Sequence, residues 1–333
     1  MLCKICYEEL NLNNTYPLDH RYCNLCGMKH SAFLKERREL LNSLQEMNLE
    51  SKIIQTKHLI RETVAEFGLD KIYISYSGGK DSTVLSHIAK SMYPNILHIF
   101  ANTTNEYPET LQHIEWEKRV NCTNIITVIP KDAHGELWTF KKVTETYGYP
   151  MFSKRIANAI RTYQHALSDK TRQNSIDYIQ RNFNKYSKYK ELPISDKCCD
   201  KLKKEPLRRK AKELGLECAI LGILASESYQ REKEWLEYGC NVFHEKKDNQ
   251  SKPLSFWKDD DILEYIEKYH VKISKLYNMG YTRNGCMYCG FGVHMESKKE
   301  NRYQRLKKTH PIQYDYLVTN FGSLLIEFEV AFA

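Results

Sequence analysis

The chain has 333 residues and a formal net charge of +8, with 28% of its residues charged and 41% hydrophobic. This length can bury one large core or two modest ones, and the composition is ordinary for a globular protein. No apolar run approaches the roughly 18 residues that a membrane-spanning helix needs, and the opening segment MLCKICYEEL lacks the basic flank and apolar core of a signal peptide. We therefore expect a cytoplasmic protein that does not engage a membrane.

Two C-x2-C pairs open the chain, at Cys3, Cys6, Cys23 and Cys26. Four thiolates at this spacing can bind zinc tetrahedrally, and cysteines in a reducing compartment are more often metal ligands than disulfides. The pattern predicts a zinc ribbon over residues 1–30, which holds the N-terminus together or docks a partner, since four protein ligands leave no open position for catalysis. His20 and His30 lie nearby as substitute ligands.

The segments that follow predict a helical linker and then an alternation of strands and helices. Apolar residues recur every three or four positions over residues 31–67, which predicts a helical linker of one helix, or of two broken near 47–51. The next segments read, in order, as strand, helix, strand, helix and strand: KIYISYS, DSTVLSHIAKSMY, NILHIFANT, PETLQHIEWEKRVN and NIITVIP. This order predicts an α/β, Rossmann-like parallel sheet with flanking helices and a ligand at the carboxyl ends of its strands.

The remaining boundaries follow from composition. A nucleotide-binding domain is expected over residues 68–255, closed by a strand in ECAILGILAS. A polar, helix-favouring insert interrupts it at 151–190 and would be either a substrate lid or a surface helix pair. A C-terminal helical segment is predicted over 256–333, with an amphipathic helix in WKDDDILEYIEKYH and a basic helix after the Cys286 loop.

The turn between the first strand and its helix has the composition of a phosphate site. Gly78 and Gly79 permit close approach of main-chain N–H groups to an anion, and the following helix directs its positive end at the same point. Lys80 adds a point charge, Asp81 could hold Mg²⁺, and Ser77 or Ser82 could bond phosphate oxygens. Lys80 and Asp81 are the candidate catalytic residues.

The string SGGKDS matches the PP-loop of the ATP pyrophosphatases, which cleave ATP between its α and β phosphates to adenylate a substrate. Further motifs resemble the phosphoadenosine phosphosulfate (PAPS) reductase family within that superfamily. They are NTTNEYPET (102–110), CCDKLKKEPL (198–207), GILASESYQR (222–231), KPLSFWKDDDILEYI (252–266) and the pair Cys286 and Cys289. The resemblance covers about residues 70–310 and implies an adenine-nucleotide α-hydrolase-like fold.

The same resemblance assigns ligands to residues. It implies that the nucleotide's phosphates and Mg²⁺ are bound by Ser77, Gly78, Gly79, Lys80, Asp81 and Ser82. Glu227 and Arg231 would lie at the rim of the nucleotide pocket, although a stabilising salt bridge between them is the alternative. Cys198, Cys199, Cys286 and Cys289 resemble the tandem cysteines that bind a [4Fe-4S] cluster in the adenylylsulfate-reducing branch, with zinc as the competing occupant.

Two departures from the family favour a different reaction. Sulfonucleotide reductases attack with a cysteine near the C-terminus, whereas no cysteine follows Cys289 in this sequence. Cys122, Cys218 and Cys240 are the candidate replacements, but buried packing cysteines are the stronger interpretation. The complete SGGKDS turn favours ATP as the substrate, since reductases often lack its lysine. This combination resembles the ATP pyrophosphatases that support sulfur insertion into nucleic acids, including the DNA phosphorothioation enzyme.

The sequence thus predicts an ATP-cleaving, adenylating enzyme of sulfur transfer or nucleic acid modification. A PAPS or adenylylsulfate reductase is the first alternative, and a non-catalytic nucleotide-sensing or nucleic-acid-binding module is the second. Basic runs at 181–213, with 12 Lys/Arg against 5 Asp/Glu, and at 297–308 would contact DNA or tRNA, unless they are only solvated helix faces. A sulfur-donor protein such as a cysteine desulfurase is a possible second partner.

Overall fold

The computed structural model describes residues 4–6, 22–243, 248–296 and 300–332. Its helices, in chain order, are α1 (Asn24–Gln45), α2 (Leu49–Phe67), α3 (Lys80–Lys90), α4 (Pro108–Arg119), α5 (Phe140–Tyr147), α6 (Lys154–Gln164), α7 (Asp169–Phe183), α8 (Lys197–Cys199), α9 (Glu205–Glu213), α10 (Tyr229–Tyr238), α11 (Asp259–Lys268), α12 (Arg302–Thr309) and α13 (Pro311–Glu327). Its strands are β1 (Ile72–Ser75), β2 (His98–Ala101), β3 (Ile125–Val128), β4 (Met151–Phe152), β5 (Cys218–Leu221), β6 (Asn241–Val242), β7 (Asn249–Ser251) and β8 (Gly290–Phe291). None of the described helices is long and apolar enough to cross a bilayer.

The predicted mixed α/β fold with mostly parallel strands is confirmed. The succession β1, α3, β2, α4, β3 follows the predicted order. Strand β1 pairs with β5 in parallel, and β2 pairs with β3 in parallel. The sequence did not indicate the short strands β6 and β7, which pair antiparallel, or the parallel pair β4 and β8.

The predicted helical linker consists of two helices, and the first begins earlier than expected. Helix α1 begins at Asn24, inside the segment predicted as a zinc ribbon, so that Cys26 lies in its first turn. The break falls between α1 and α2, where Asn48 caps α2 by accepting a hydrogen bond from the Ser51 N–H. Gly68 ends α2 with φ of 84°, a conformation that favours glycine.

The chain forms two compact units, of which the first comprises the described residues of Met1–Ser75, Asp81–Ile96 and Glu217–Lys272. Its sheet has the order β1-β5-β7-β6, with Ile72 opposite Cys218 and Cys218 opposite Asn249. Trp257 is fully buried, and its indole N–H donates to Thr56 Oγ1 at 2.9 Å. Burial of such a large side chain is favourable because its one polar atom has a partner.

The second unit comprises Tyr76–Lys80, Leu97–Leu216 and Ile273–Ala333. Its core is aromatic and includes Tyr149, Phe152 and Phe321. The insert at 151–190 contains α6 and α7, and its buried Ile160 and Ile179 belong to this same core. The insert is therefore an integral helical part of the second unit, with its apolar side buried.

Candidate functional site

The glycine turn, residues Ser77–Lys80, connects the end of β1 to the start of α3. Gly78 has φ of 71°, in the left-handed region that favours glycine. A Cβ at Gly78 would lie 3.1 Å from Ile114 Cδ1 and 3.2 Å from Thr110 Cγ2. The backbone conformation and the lack of space for a Cβ both require glycine at position 78. The backbone of the turn can therefore lie directly against α4.

Hydrogen bonds from distant segments hold the turn in place. The Tyr76 N–H donates to Ile99 O at 2.9 Å, which ties the start of the turn to β2. The Asn284 Nδ2 amide donates to Ser77 O at 3.2 Å, and Asn284 Oδ1 accepts from Thr110 Oγ1 at 2.9 Å. One side chain therefore connects the turn to the first turn of α4.

Lys80 is the first residue of α3, and only 7% of it is exposed. Its backbone N–H donates to the Tyr277 hydroxyl at 2.8 Å. A largely buried cation and the positive end of a helix act in the same direction on an anion, because both place positive potential at the turn. The Tyr277 oxygen occupies an acceptor position of the kind that a phosphate oxygen would use.

Asp81 and Ser82 follow in the first turn of α3 and belong to the first unit, as does Gly222. A Cβ at Gly222 would lie 3.0 Å from the carbonyl carbon and oxygen of Asp81. The glycine after β5 therefore allows the backbones to approach closely in this unit. Asp81 is half-buried and Ser82 is buried.

Glu227 and Arg231 form an ion pair with each other, as the salt-bridge alternative predicts. Glu227 Oε2 also accepts from the Leu224 N–H at 3.3 Å, and the Arg231 N–H donates to Ser228 Oγ at 3.4 Å. These bonds support the start of α10. The structure gives the pair this local role, and its role at a nucleotide stays a prediction.

The second cysteine set comes together within the second unit. Cys198 and Cys199 form the short helix α8, and Cys286 and Cys289 flank a turn closed by a bond from the Cys289 N–H to Cys286 O at 3.3 Å. Burial raises the pKa of Cys198, and the charges of Cys286, Cys199 and Cys289 raise it further. Four thiols from two distant segments therefore share one electrostatic environment.

The loop that carries Cys286 and Cys289 is anchored on both sides. Asn105 accepts from the Met287 N–H at 2.9 Å through its backbone and from the Tyr288 N–H at 3.3 Å through its side chain. After Cys289, a Cβ at Gly290 would lie 2.7 Å from Pro150 O, so that only glycine permits the pairing of β8 with β4. Contacts within the protein therefore position the loop on both sides.

Lys203 is the cation of this cysteine set. The charge of Cys286 is the main cause that raises the pKa of Lys203, and burial opposes it. Burial raises the pKa of Cys286, while Lys203 lowers it. Glu106 completes the group, since its carboxylate accepts from Thr103 Oγ1 at 2.7 Å and Thr103 Oγ1 lies 3.9 Å from Cys286 Sγ. Burial also raises the pKa of Cys289, to about 12.

The N-terminal cysteines form a tighter group. Among the described residues, Cys6, Cys23 and Cys26 are the one set of three or more His, Cys, Asp or Glu whose ligand atoms all lie within 4.8 Å of one another. Cys6 Sγ and Cys23 Sγ are 3.6 Å apart. Cys3 and His20, which the sequence also nominates, lie outside the described residues. His30 Nε2 lies 3.5 Å from the Tyr22 hydroxyl.

The three remaining cysteines differ in accessibility. Burial raises the pKa of the Cys218 thiol to about 12 and also raises that of Cys240. Cys240 Sγ accepts hydrogen bonds from Trp235 Nε1 at 3.3 Å and Ser255 Oγ at 3.2 Å. Cys122 is exposed. The packing interpretation therefore fits Cys218 and Cys240, while Cys122 is open to solvent.

Sequence reasoning missed Tyr277 and Asn284, whose contacts reach the glycine turn from about 200 residues away, at separations of 197 and 207. Only their position just before Cys286 could have drawn attention to them. Lys203 and Glu106 lie inside the motifs at 198–207 and 102–110. These motifs do not predict that either side chain lies near the Cys286 thiol.

The family model of the phosphoadenosine phosphosulfate reductase domain matches residues 71–165 and 139–291. The chain therefore belongs to this family. The predicted resemblance is confirmed over the segment that contains the glycine turn and both cysteine pairs of the second set.

Relatives of the chain are distant. An uncharacterised protein of Methanocaldococcus jannaschii is 22% identical over 247 residues, a match that covers 72% of this chain and 45% of the relative. Sulfate adenylyltransferase subunit 2 of Aliivibrio fischeri is 25% identical over 243 residues, covering 71% of this chain and 68% of the relative. The chain thus spans less than half the length of the first of these relatives.

Two solved structures are similar to the chain at low scores. The phosphoadenylyl-sulfate reductase of Candida auris, in a phosphate complex, has a TM-score of 0.44 and 15% identity, and the match covers 76% of this chain and 94% of that one. The U34-tRNA thiolase of Methanococcus maripaludis, with its [4Fe-4S] cluster, has a TM-score of 0.36 and 17% identity, covering 98% and 88%.

Proposed function

We propose that the protein is an ATP pyrophosphatase that adenylates an acceptor. An acceptor atom attacks the α-phosphorus of ATP, the bond to the bridging oxygen of the β-phosphate breaks, and the electron pair leaves with pyrophosphate. AMP remains on the acceptor. The observation that carries this proposal is the glycine turn, where Gly78, the start of α3 and the largely buried Lys80 concentrate positive potential at one point.

The turn would act on the leaving group. Lys80 would stabilise the charge that develops on pyrophosphate, and main-chain N–H groups at the helix start would add to this effect. Asp81 offers a carboxylate for Mg²⁺, a metal that would neutralise phosphate charge when bound. Asn284 and Thr110 keep the turn in shape, so their contribution is to position Lys80 rather than to touch the phosphates.

The second cysteine set fits an accessory [4Fe-4S] cluster. Sulfurs bound to one tetrahedral zinc, at about 2.3 Å each, lie about 3.8 Å apart. Among the described residues no three ligand atoms of Cys198, Cys199, Cys286 and Cys289 come within 4.8 Å of one another, which leaves room for a bulkier group. Four thiolates are the usual ligands of such a cluster, and Lys203 would offset part of their charge. The cluster would supply a site for sulfur or electron chemistry.

The N-terminal set fits zinc by the same measure. The 3.6 Å between Cys6 Sγ and Cys23 Sγ is close to the separation that tetrahedral zinc requires, and Cys26 completes a compact group. We assign Zn²⁺ to Cys3, Cys6, Cys23 and Cys26. Its role would be structural, because metal binding supplies folding energy to a segment with little apolar core.

The acceptor that we propose is a nucleic acid, DNA or tRNA, modified through sulfur transfer. Adenylation activates an oxygen as a leaving group, and a sulfur nucleophile can then replace it with release of AMP. The sulfur would come from a donor protein such as a cysteine desulfurase, whose persulfide attacks through its outer sulfur, and an external thiol would then reduce the resulting disulfide. The basic segment at 181–213 supports a polyanionic partner. The match covers 45% of the first relative, so the acceptor is proposed for this chain and is not taken from that relative.

The family name supports one other candidate, a sulfonucleotide reductase. That reaction needs an accessible thiolate to attack sulfur, and burial raises the pKa of Cys218 and Cys240. Cys122 is the exposed thiol outside the two metal sets in the described chain. Release of sulfite from PAPS or adenylylsulfate with thioredoxin, lost in Cys122→Ser, would favour the reductase.

Pyrophosphate release from Mg-ATP by anaerobically purified protein tests the proposal, alongside iron, sulfide and zinc content. We expect release that a nucleic acid stimulates and that falls at least about a hundredfold in Lys80→Ala. Lys141→Ala is the matched control, because Lys141 is exposed and faces Glu145 at 3.8 Å. Unchanged release in Lys80→Ala would remove the turn from the mechanism, and tight ATP binding without release would indicate a nucleotide sensor.

A further inference from the structure

The end of the helical insert has an unusual composition. Residues 178–190 (YIQRNFNKYSKYK) contain four Lys or Arg and four aromatic residues, with no Asp or Glu. Helix α7 ends within this segment, at Phe183, and the start of α6 lies against it. Alternation of cations with aromatic rings is typical of surfaces that bind unpaired nucleotides.

Arg155 organises the aromatic side chains at this place. Its Nη2 donates to the Tyr178 hydroxyl at 2.9 Å, and its guanidinium carbon lies 5.4 Å from the centroid of the Phe183 ring. The Tyr178 and Phe183 rings meet edge to face at 5.8 Å, and Tyr178 is 39% exposed. A guanidinium over one ring, beside a second, exposed ring, offers stacking surface as well as charge.

Ion pairs neutralise part of the basic run, including Lys188 and Lys190, which pair with Glu329 and Glu191. Lys201, Lys204 and Lys210 pair with Glu205, Asp200 and Glu213 at 3.0, 2.9 and 2.7 Å. Lys154, Arg155, Arg181 and Lys185 form no ion pair with any carboxylate of the described chain, and all four are exposed. These four cations therefore remain available to an external anion.

We propose that Lys154, Arg155, Arg181 and Lys185, together with Tyr178 and Phe183, form a cationic face that binds a single-stranded segment of nucleic acid. The cations contact phosphates, and a base stacks beside Tyr178. The proposal rests on the nucleic acid acceptor in the proposed function and names the surface that holds it. A duplex or an acidic protein would use the charges but would leave the exposed ring without a role.

Fluorescence anisotropy of labelled oligonucleotides with the full-length protein tests the cationic face. The probes are single-stranded DNA, single-stranded RNA and duplex DNA of about 20 nucleotides, titrated between about 50 and 200 mM salt. The variant is Lys154→Gln/Arg155→Gln/Lys185→Gln. The control Arg119→Gln/Lys141→Gln/Lys210→Gln removes the same charges from residues that pair with Glu115, Glu145 and Glu213.

We expect the face variant to bind single strands at least about tenfold more weakly and to lower the salt slope by about two, at about 0.7 for each lost phosphate contact. The control should bind like wild type, and Tyr178→Ala should weaken single-strand binding about fivefold or more while sparing the duplex. The two single-stranded probes distinguish a DNA from an RNA target.

Equal losses in the face variant and the control would overturn the proposal, as would wild-type preference for duplex or no binding at all. Pyrophosphate release without nucleic acid, measured on the same proteins, should be unchanged in the face variant. Loss of release in every protein with binding intact would refute the ATP reaction and leave the cationic face standing.

Discussion

Substitution of Gly78 by alanine tests how the glycine turn works. Alanine at φ of 71° costs about 1 kcal/mol, because a Cβ is disfavoured in the left-handed region. The new Cβ would also lie 3.1 Å from Ile114 Cδ1 and 3.2 Å from Thr110 Cγ2, two buried side chains. Overpacking of this kind costs about 1–3 kcal/mol, so the bound conformation of the turn should lose about 2–4 kcal/mol.

The loss should be visible in nucleotide affinity. If the whole cost falls on the binding-competent turn, the Kd for Mg-ATP rises roughly 30-fold to 700-fold, at about 1.4 kcal/mol for each factor of ten. Isothermal titration calorimetry measures this directly. Gly215→Ala is the matched control, since Gly215 has φ of 68° but open space around its Cβ position. It should lower stability by about 1 kcal/mol and leave ATP affinity unchanged.

A second variant separates the two parts of the cost. Ile114→Val removes the Cδ1 atom nearest the new Cβ, so Gly78→Ala/Ile114→Val should recover part of the affinity that Gly78→Ala loses. Wild-type affinity in Gly78→Ala, or the same loss in Gly215→Ala, would refute the argument that this turn binds the phosphates through its tight backbone.

Three further expectations concern the loop that carries Cys286 and Cys289, the exposed thiol of Cys122, and Lys52 in the helical linker. Gly290→Ala would place a Cβ 2.7 Å from Met151 Sδ, so purified protein should contain less iron and melt at a lower temperature. Cys122→Ala should remove one fast-reacting thiol in a native titration with a chromogenic disulfide, because Cys122 is exposed. Lys52 is 1% exposed and bonds Asp261 Oδ2 at 2.6 Å, so Lys52→Ala should lower the free energy of unfolding by about 3 kcal/mol.

For each of these three expectations, one experimental result would contradict the reasoning. Wild-type iron content in Gly290→Ala would mean that β4 and β8 do not position the loop. An unchanged number of fast-reacting thiols in Cys122→Ala would contradict the exposure of Cys122. Lys268→Ala, at an exposed pair with Glu50, should change stability by less than about 0.5 kcal/mol, and an equal effect in both lysine variants would contradict the burial argument.

Much of the fold follows from local pattern. The alternation of apolar strands with amphipathic helices predicts β1, α3, β2, α4 and β3 because each element depends on its own residues and on period. Periodicity predicts the helical linker in the same way but leaves one helix or two open, and the structure places the break at the Asn48 cap. The start of α1 at Asn24 was not predicted, because the C-x2-C pattern gives no helical signal.

The candidate site also has a part that the sequence predicts and a part that it does not. SGGKDS is contiguous, so the residues of the glycine turn can be read directly from the sequence. Spacing assigns the N-terminal cysteines to one metal set, and the family resemblance assigns Cys198, Cys199, Cys286 and Cys289 to the other. The pairing of Lys201 with Glu205, four residues further on, is local and can be read from helical spacing, whereas the bond from Arg155 to Tyr178, 23 residues away, depends on the fold.

By itself, the sequence determined the class of fold, the family and the residues of the glycine turn. Only the tertiary structure decided that Asn284 and Tyr277 hold that turn and that Lys203 lies beside Cys286. The physical reason is the distance along the chain over which each kind of interaction acts. Propensity and spacing act over a few residues, whereas these contacts join segments far apart in the chain, and their geometry exists only after the core around Tyr149 and Phe152 has packed.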